Sequence, residues 1–409
     1  MFAGFLFSSV FKGLFSAPID LTFLFMALTI LIVLARLFKK SYVIKKIILP
    51  LAIFIALTLI MLFSYIYSPS DIYAQSKIVK FITITMWSYF GVFFIIKDKN
   101  TLDSFIKGLL FYGLLTTLFV FYDFARNGMD FFRIGVGDGD GEKGGNILGL
   151  GRLTGVTAII LIVRGFYEKP NKVYKLMYFV LLAITVFVLM LTSARMALLA
   201  LLAAVVLLFA ISFKFNFKLQ ELRISKGLLS LVLLFPFLVI GLYLTNAFKY
   251  FDVMIRRVTT IFTQEGGGAS VSSRTNMYDI AIDMWKDAPF FGQGIGSYAI
   301  NYLGLDSRAY PHNIFLEFLS ELGLVGLLLF VALFLITLKP IISVLKRGAN
   351  NQQIIVIMSL VFVLLNVNSS GDINDNRWIF SFLALAYLFP LYSKEIEIKK
   401  EEVNLNRSA

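Results

Sequence analysis

The sequence has 409 residues, of which 58% are hydrophobic and 15% are charged, and its mean hydropathy is +0.82. Soluble domains are less apolar and about 25% charged, so this composition excludes an ordinary soluble enzyme. The chain has no cysteine and a single histidine. This excludes disulfides and thiol catalysis and leaves almost no capacity for a histidine metal cluster.

Apolar runs recur along almost the whole chain, and most approach the roughly 20 residues that cross a bilayer. Because backbone groups in lipid must be hydrogen-bonded internally, each run is predicted to be a helix. The runs lie at 20–37, 47–66, 79–96, 104–122, 148–163, 176–192, 196–213, 227–246, 313–338, 353–368 and 378–393. The sequence therefore predicts an all-α integral membrane protein with about 11–12 transmembrane helices. Segment 1–17 is either a short first crossing or an interfacial helix, retained rather than cleaved as a signal peptide.

Lysine and arginine are unevenly shared between the two sets of loops that alternate along the chain. One set holds 23 Lys and Arg against 8 Asp and Glu. Its members are 36–46, 97–107, 164–175, 214–226, 339–347 and the tail from residue 394. Positively charged loops stay in the cytoplasm, so these loops and the C-terminus are predicted to be cytoplasmic. The formal net charge of +13 therefore reflects membrane topology, and no nucleic-acid partner is predicted.

The opposite, outer face carries the longest polar stretch of the chain. We divide the sequence into an N-terminal transmembrane bundle (1–246), a large extracytoplasmic loop (247–311), C-terminal transmembrane helices (312–393) and a cytoplasmic tail (394–409). The large loop is expected to contain short helices, including an amphipathic one around 275–286. A second outer loop, 124–147, is rich in Gly and Asp but lacks the closing glutamate of an EF-hand, so no metal site is predicted.

The single histidine lies where the large loop meets the next spanning helix, in Pro311-His312-Asn313. Proline is favoured at the first helical position, so His312 is predicted in the first turn, on the outer side. Unpaired N–H groups and the helix dipole would attract an anion there and lower the imidazole pKa, which keeps the ring neutral and able to accept a proton. His312 is therefore the candidate catalytic base. The alternative is an incidental interfacial histidine.

Several arginines stand on the outer side, where topology does not require positive charge. Arg195 follows the tight reversal between two runs, and Arg274 opens the amphipathic stretch of the large loop. A guanidinium binds phosphate oxygens in pairs, so a group of arginines suits a pyrophosphate. Arg152, Arg256 and Arg257 are weaker candidates for the same role. For each arginine taken singly, a solvated or snorkelling side chain is the alternative interpretation.

Three further features belong to the same part of the sequence. Glu317 and Glu321 lie one helical turn apart inside a predicted span, where carboxylates usually pair, and a buried arginine is the expected partner. The glycine-rich segment 292–296 lacks the βαβ context of a dinucleotide site, so a tight turn toward His312 is predicted. The loop 369–377, which ends at Arg377, is expected to line the same outer cavity.

In their order along the chain, these pieces resemble the O-antigen polymerase and O-antigen ligase superfamily. The resemblance covers roughly 190–330. It rests on Thr192-Ser193-Ala194-Arg195, Ser273-Arg274 with Trp285 and Pro289, Gly292-Gln293-Gly294-Ile295-Gly296-Ser297-Tyr298, and Pro311-His312-Asn313 running on to Gly326. It implies a metal-independent, inverting membrane glycosyltransferase that uses no cofactor and acts on the outer face of the bacterial cytoplasmic membrane. His312 would be the base, Arg274 and Arg195 would neutralise the pyrophosphate, and Asn313, Glu317 and Arg377 would support the site.

The implied donor is a glycan on undecaprenyl pyrophosphate, and the implied acceptor is a glycan or a lipid. Membrane lipids and other polysaccharide-assembly proteins are further expected partners. A polymerase would pass the glycan to the next lipid-linked repeat unit, whereas a ligase would pass it to a lipid A core sugar or a protein. A glycolipid transporter or flippase is the alternative from another class, although the internal repeats common in transporters are not evident in the sequence.

Overall fold

The computed structural model describes residues 1–14, 20–38, 47–127, 147–168, 170–192, 194–214, 269–369 and 371–390. Within these ranges every regular element is a helix, which confirms the all-α prediction. The helices are α1 (Phe2–Leu14), α2 (Leu21–Leu37), α3 (Ile48–Ser64), α4 (Ile72–Lys80), α5 (Met86–Ile95), α6 (Lys99–Asn127), α7 (Ile147–Tyr167), α8 (Lys172–Leu191), α9 (Arg195–Lys214), α10 (Ala269–Asp287), α11 (Ser297–Leu303), α12 (Ile314–Arg347), α13 (Asn351–Asn366) and α14 (Arg377–Tyr387). A π-helical turn, Phe81–Thr85, joins α4 to α5.

Six helical segments in the described ranges are long and apolar enough to cross a membrane. They are Ile48–Tyr67, Ile72–Ile95, Lys99–Arg126, Leu148–Phe166, Lys172–Leu191 and Ile314–Arg347. Four shorter apolar helices accompany them: Leu21–Leu37, Arg195–Ile211, Asn351–Asn366 and Arg377–Tyr387. The chain is therefore a multi-pass membrane protein. Several predictions concern segments outside the described residues, namely the run 227–246, most of the loop 124–147, the tail from 394, and both Arg256 and Arg257.

The observed helices follow the predicted apolar runs closely, but the predicted cytoplasmic loops are shorter than expected. Most of 97–107 belongs to α6, and 164–175 is helical up to Tyr167 and again from Lys172. Residues 339–347 were predicted to be a cytoplasmic loop, but they are helical and form the last turns of α12. Proline has no backbone N–H to donate and usually disrupts a helix interior. Here the helix continues through Pro340 to Arg347.

The N-terminal helix α1 lies inside the bundle. Phe2, Phe5 and Phe7 are all buried, and the helix packs against α2, α6 and α7. Thirteen residues at 1.5 Å each reach about 20 Å, which is shorter than the roughly 30 Å hydrocarbon core. Helix α1 is therefore buried against its neighbours and is too short to cross the hydrocarbon core by itself.

Helix α12 is interrupted at Gly323, whose φ of 66° lies in the left-handed region. The interruption separates a first half-helix, Ile314–Leu322, from the remainder, and leaves backbone groups unpaired within the helix. The glycine-rich loop 289–296 occupies the gap and satisfies them. The bonds run from the N–H groups of Gln293 and Gly294 to the carbonyls of Ser320 and Glu321 (3.0 and 2.9 Å), and from the N–H groups of Leu324 and Val325 to the carbonyls of Pro289 and Phe290 (2.9 and 3.1 Å).

The same loop is also fixed to the residues that follow the C-terminal end of α3. Tyr67 donates to the carbonyl of Phe291 at 2.7 Å, and Ser68 donates to the carbonyl of Ile295 at 2.6 Å. Non-helical backbone at membrane depth is tolerated only where it is buried in protein and hydrogen-bonded, and these contacts meet that requirement. The predicted tight turn at 292–296 is thus confirmed, and it serves as an insert into a broken helix.

Candidate active site

His312 lies immediately before α12, in a backbone conformation that differs from the predicted one. The helix begins at Ile314, and Asn313 is its N-cap. His312 has a φ of 56°, a left-handed conformation that is uncommon for residues other than glycine. The prediction that Pro311 opens the helix with His312 in the first turn was therefore wrong. The Asn313 side chain starts the helix because its oxygen accepts the N–H groups of Phe315 and Leu316, at 3.0 and 3.2 Å.

The predicted docking of an anion on unpaired N–H groups of this helix is also wrong. All of the first four amides have partners. Ile314 N–H donates to the carbonyl of Val367 at 3.0 Å, Phe315 and Leu316 donate to the Asn313 side chain, and Glu317 N–H donates to the carbonyl of Asn313 at 2.9 Å. An anion bound here would have to be held by side chains. Asn313, which was predicted to support the site, acts as the cap that fixes where His312 leaves the helix.

The imidazole of His312 is partly buried against Tyr310, with ring centroids 4.5 Å apart. The guanidinium of Arg308 also lies over the tyrosine ring, 5.4 Å from the ring centroid. Burial lowers the pKa of His312 to about 4, and the positive charges of Arg274 and Arg308 act in the same direction. The ring is therefore neutral at physiological pH, as predicted, but burial and neighbouring cations are responsible.

The Nδ1 atom of His312 is buried and has no hydrogen-bond partner among the described residues. An unpaired buried polar atom is costly, and a catalytic role is one of the reasons for which such an atom is retained. A neutral imidazole beside two arginines can accept a proton from a hydroxyl while the cations hold an anion nearby.

Arg274 reaches this region from α10, the helix of the large loop. Two tyrosines fix that helix: Tyr278 donates to the carbonyl of Asn368 at 3.2 Å, and Tyr298 donates to the carbonyl of Met277 at 3.1 Å. A small apolar cluster of Ala281, Met284 and Tyr298 packs this unit against Leu316. The helix predicted around 275–286 is confirmed and is longer than expected, running from Ala269 to Asp287.

The loop between α13 and α14 supplies carboxylates to the same cluster. Arg308 pairs with Asp375 at 2.6 Å and with Asp372 at 3.4 Å. Burial alone would raise the pKa of Asp372, but Arg308 holds it below its ordinary value. Burial, together with the charge of Asp372, raises the pKa of Asp375. Arg152 lies beneath this loop, almost fully buried, and donates to the backbone carbonyl of Asp375 at 2.8 Å.

Glu317 and Glu321 are paired with a lysine, where an arginine was expected. Lys77 Nζ lies 2.5 Å from Glu317 Oε1 and 2.6 Å from Glu321 Oε2, and all three side chains are fully buried. The carboxylate of Glu317 is therefore a partner of the Lys77 ammonium. Lys77 was overlooked because it stands at the edge of a predicted run, 240 or more positions away from the glutamates along the chain.

The remaining predicted residues lie in different surroundings. Arg377 is buried and donates to the carbonyls of Phe5 and Leu6, at 3.2 Å each, so it anchors α1. Arg195 is partly buried at the first turn of α9. Its neighbour Ala194 packs against Gly151, where an added Cβ would lie 2.8 Å from the Ala194 Cβ. The segments that carry Arg152 and Arg195 therefore touch.

The structure thus brings His312 together with Arg274, Arg308, Tyr310 and the loop that Arg152 supports. Arg308 and Tyr310 were missed as site residues, although both stand within four positions of His312 in a stretch with three aromatic rings or cations. The concentration of aromatic and cationic side chains next to the single histidine is the sequence signal that could have identified them.

Residues 152–331 match the family model described as O-antigen ligase. The chain therefore carries a region similar to the O-antigen ligase family. The match includes Arg152, Arg195, Arg274 and His312, and it confirms the resemblance to the O-antigen ligase and polymerase superfamily over the part of the chain that carries the site. A search of curated proteins finds no match. Within the O-antigen ligase domain, helices α10 and α12 hold the cluster around His312.

Proposed function

We propose that the protein is a glycosyltransferase that moves a glycan from a polyprenyl pyrophosphate, such as undecaprenyl pyrophosphate, to an acceptor hydroxyl. The reaction would occur on the outer face of the bacterial cytoplasmic membrane. The observation that carries the proposal is the neutral, partly buried His312 beside Arg274 and Arg308, inside the region that matches the O-antigen ligase family. Extension of lipid-linked repeat units is the first assignment. Transfer to a lipid A core or a protein is the alternative, and the similarity to the O-antigen ligase family is consistent with it.

The chemistry needs one base and one site for a leaving group. The acceptor hydroxyl attacks the anomeric carbon of the donor, a new C–O bond forms, and the bond from that carbon to the phosphate oxygen breaks. Its electron pair leaves with the pyrophosphate, and the hydroxyl proton passes to His312. Attack from the face opposite the leaving group inverts the anomeric centre. Arg274, with Arg195 as a second candidate, stabilises the charge that develops on the pyrophosphate.

The donor is already activated, so neither a nucleotide nor a metal is required by this scheme. Arg152 would act indirectly, because its guanidinium supports the loop of Asp375. Asn313 would set the orientation of His312 through its cap. Glu317 would hold the half-helix through Lys77, and Arg377 would hold α1 against the bundle. Arg256 and Arg257 stay candidates for the pyrophosphate from sequence alone.

The first test is transfer by the purified protein, with its lipid-linked repeat unit and without metal or nucleotide. His312→Ala and Arg274→Ala are compared with wild type, each after its folding has been verified by size-exclusion chromatography. We expect a ladder of glycan polymers from wild type and a loss of about 100-fold or more in each variant, because each removes a group that acts in the transition state. Lys286→Ala is the matched control, since it removes an exposed cation from the same helix, α10.

Three outcomes separate the candidates. A ladder from the repeat unit alone assigns a polymerase, whereas transfer only after a core lipid or a protein is added assigns a ligase. If no acceptor gives product and His312→Ala supports wild-type glycan assembly in cells, the enzyme proposal is lost. The transporter then becomes the better interpretation, and the broken helix α12 would be its supporting feature, because transporters often bind substrates at such breaks.

A further inference from the structure

The half-helix Ile314–Leu322 is held as a separate piece between two interruptions of the chain. His312 and its cap Asn313 precede it, and the break at Gly323 follows it. Ile314 N–H donates to the carbonyl of Val367, and the loop 289–296 binds the last carbonyls of the half-helix. The direction in which His312 points therefore depends on how this short piece is fixed, more than on the long remainder of α12.

A buried ion cluster provides the strongest fixation in the middle of the half-helix. Glu317 and Glu321 stand one turn apart on its face, and both reach the single ammonium of Lys77 on α4, at 2.5 and 2.6 Å. None of the three side chains is exposed to solvent. Ionisable residues within membrane-spanning segments are costly and commonly functional, and a buried ion pair is weak evidence for stability alone.

Helix α4 connects this cluster to the loops around His312. Asp306 accepts the N–H groups of Asp71 and Ile72 at the start of α4, at 2.9 and 2.8 Å. Tyr73, one turn before Lys77, donates to Asp372 at 3.3 Å. Asp372 in turn pairs with Arg308, which stacks on Tyr310 beside His312. One short helix thus contacts the carboxylates of the half-helix, the acidic loop and the large outer loop.

A second contact fixes the opposite end of α4. Asn374 donates to the backbone carbonyl of Lys77 at 3.0 Å and accepts the hydroxyl of Thr85 at 2.8 Å. Both bonds are buried. The position of the Lys77 ammonium is therefore determined by groups on either side of it, so Lys77 is a fixed point against which the half-helix is located.

We propose that Lys77 is a positioning residue that sets the orientation of His312 by clamping Glu317 and Glu321 of the half-helix. The role in transfer rests on the proposed function above. Removing the lysine would remove the charge that joins both carboxyl groups to α4 and leave them buried without their partner, so the half-helix would no longer be held in place against α4. A displacement of about 1 Å at a reacting group can lower a rate by roughly 100-fold.

The single histidine of the chain permits a direct test that does not depend on activity. Protein labelled with 15N in histidine gives one imidazole signal set, which belongs to His312. Lys77→Met is compared with wild type and with Arg164→Met. Arg164 is a matched control, because it is a largely buried cation that pairs with Asp103 at 3.0 Å, far from the outer cluster at the inner ends of α6 and α7. We expect Lys77→Met to shift or broaden the His312 signals, whereas Arg164→Met leaves them at the wild-type positions.

The kinetic arm uses the transfer assay with the same variants and Lys77→Arg. We expect Lys77→Met to lower kcat by on the order of 10- to 100-fold with little change in KM for the donor, since Arg274 is held by a different helix. Lys77→Arg keeps the charge and should recover part of kcat. Arg164→Met, compared at equal thermal stability, should keep the wild-type kcat.

The two arms distinguish failure of this inference from failure of the proposed function. If the His312 signals of folded Lys77→Met coincide with those of wild type, or if Lys77→Met and Arg164→Met lose kcat equally, the positioning role is overturned. If wild type transfers no glycan but the signals still move only in Lys77→Met, the clamp stands and the proposed reaction fails.

Discussion

His312 combines a left-handed backbone, a tyrosine ring packed against its imidazole in a tilted arrangement and a pKa lowered to about 4. In the protein without substrate, an imidazole with this pKa is neutral at pH 7 but is a weak base. The proposed substrate would change that. A pyrophosphate bound beside Arg274 would offset the positive charges that help to lower the pKa, so the histidine would become more basic when the donor is in place.

This argument predicts the pH dependence of the imidazole. In the protein without donor, the NMR signals of His312 should titrate near pH 4, because the folded protein holds the ring neutral until that pH. Inorganic pyrophosphate should move the titration to higher pH. Arg274→Gln should also raise the pKa of His312, because it removes one of the cations. A wild-type titration near 6.5, the ordinary value for histidine, would contradict the described environment.

A corresponding separation is expected in the kinetics. The profile of kcat/KM reports groups in the free enzyme, and that of kcat reports groups in the complex with substrate. The acid limb of kcat/KM should therefore fall at lower pH than the acid limb of kcat. Coincident limbs would mean that donor binding leaves the charge around His312 unchanged.

At the scale of elements, the broken helix α12 and the loop 289–296 depend on glycines for two different reasons. Gly292 and Gly304 share a φ of 69°, which strains any other residue. An added Cβ at Gly292 would lie 2.4 Å from the backbone carbon of Glu321, whereas at Gly304 it would meet nothing within 4 Å. Comparing substitutions at these two glycines therefore separates the cost of a left-handed backbone from the cost of a steric clash.

We predict that Gly304→Ala costs about 1–2 kcal/mol, the penalty of a left-handed backbone alone. Gly292→Ala should cost several kcal/mol more, because the clash is with backbone and the loop cannot leave the gap without losing its hydrogen bonds. Thermal unfolding in detergent measures both. Equal midpoints for the two variants would mean that the loop is not tightly held in the break.

At the scale of the whole molecule, the described contacts gather at two ends of the bundle. One end holds the cluster around His312, and the other holds Arg164 with Asp103 and Lys107. Helix α12 joins them, with His312 before its start and Lys346 near its end. Its 34 residues reach roughly 50 Å, enough to cross the bilayer with both ends outside the hydrocarbon core.

The predicted orientation can be tested directly, because the chain has no cysteine. We expect Ser307→Cys, next to Arg308, to react with a membrane-impermeant maleimide in intact spheroplasts. Lys346→Cys should react only after the membrane is permeabilised. Both native residues are exposed, so a difference in reactivity reports the side of the membrane. The reverse pattern would place the site in the cytoplasm and exclude a lipid-linked donor presented on the outer face.

The sequence by itself determined the helices, because hydropathy and helix propensity act over neighbouring positions. It predicted His312 from its place before a spanning run and Arg274 from its place at the start of a polar helix in the large loop. Which groups meet was decided by the tertiary structure. Lys77 pairs with glutamates 240 or more positions away, Arg377 turns to α1, and Asn313 displaces Pro311 as the start of the helix. Such pairings follow from how helices pack, since a buried charge takes whichever opposite charge or carbonyl the packing brings within reach.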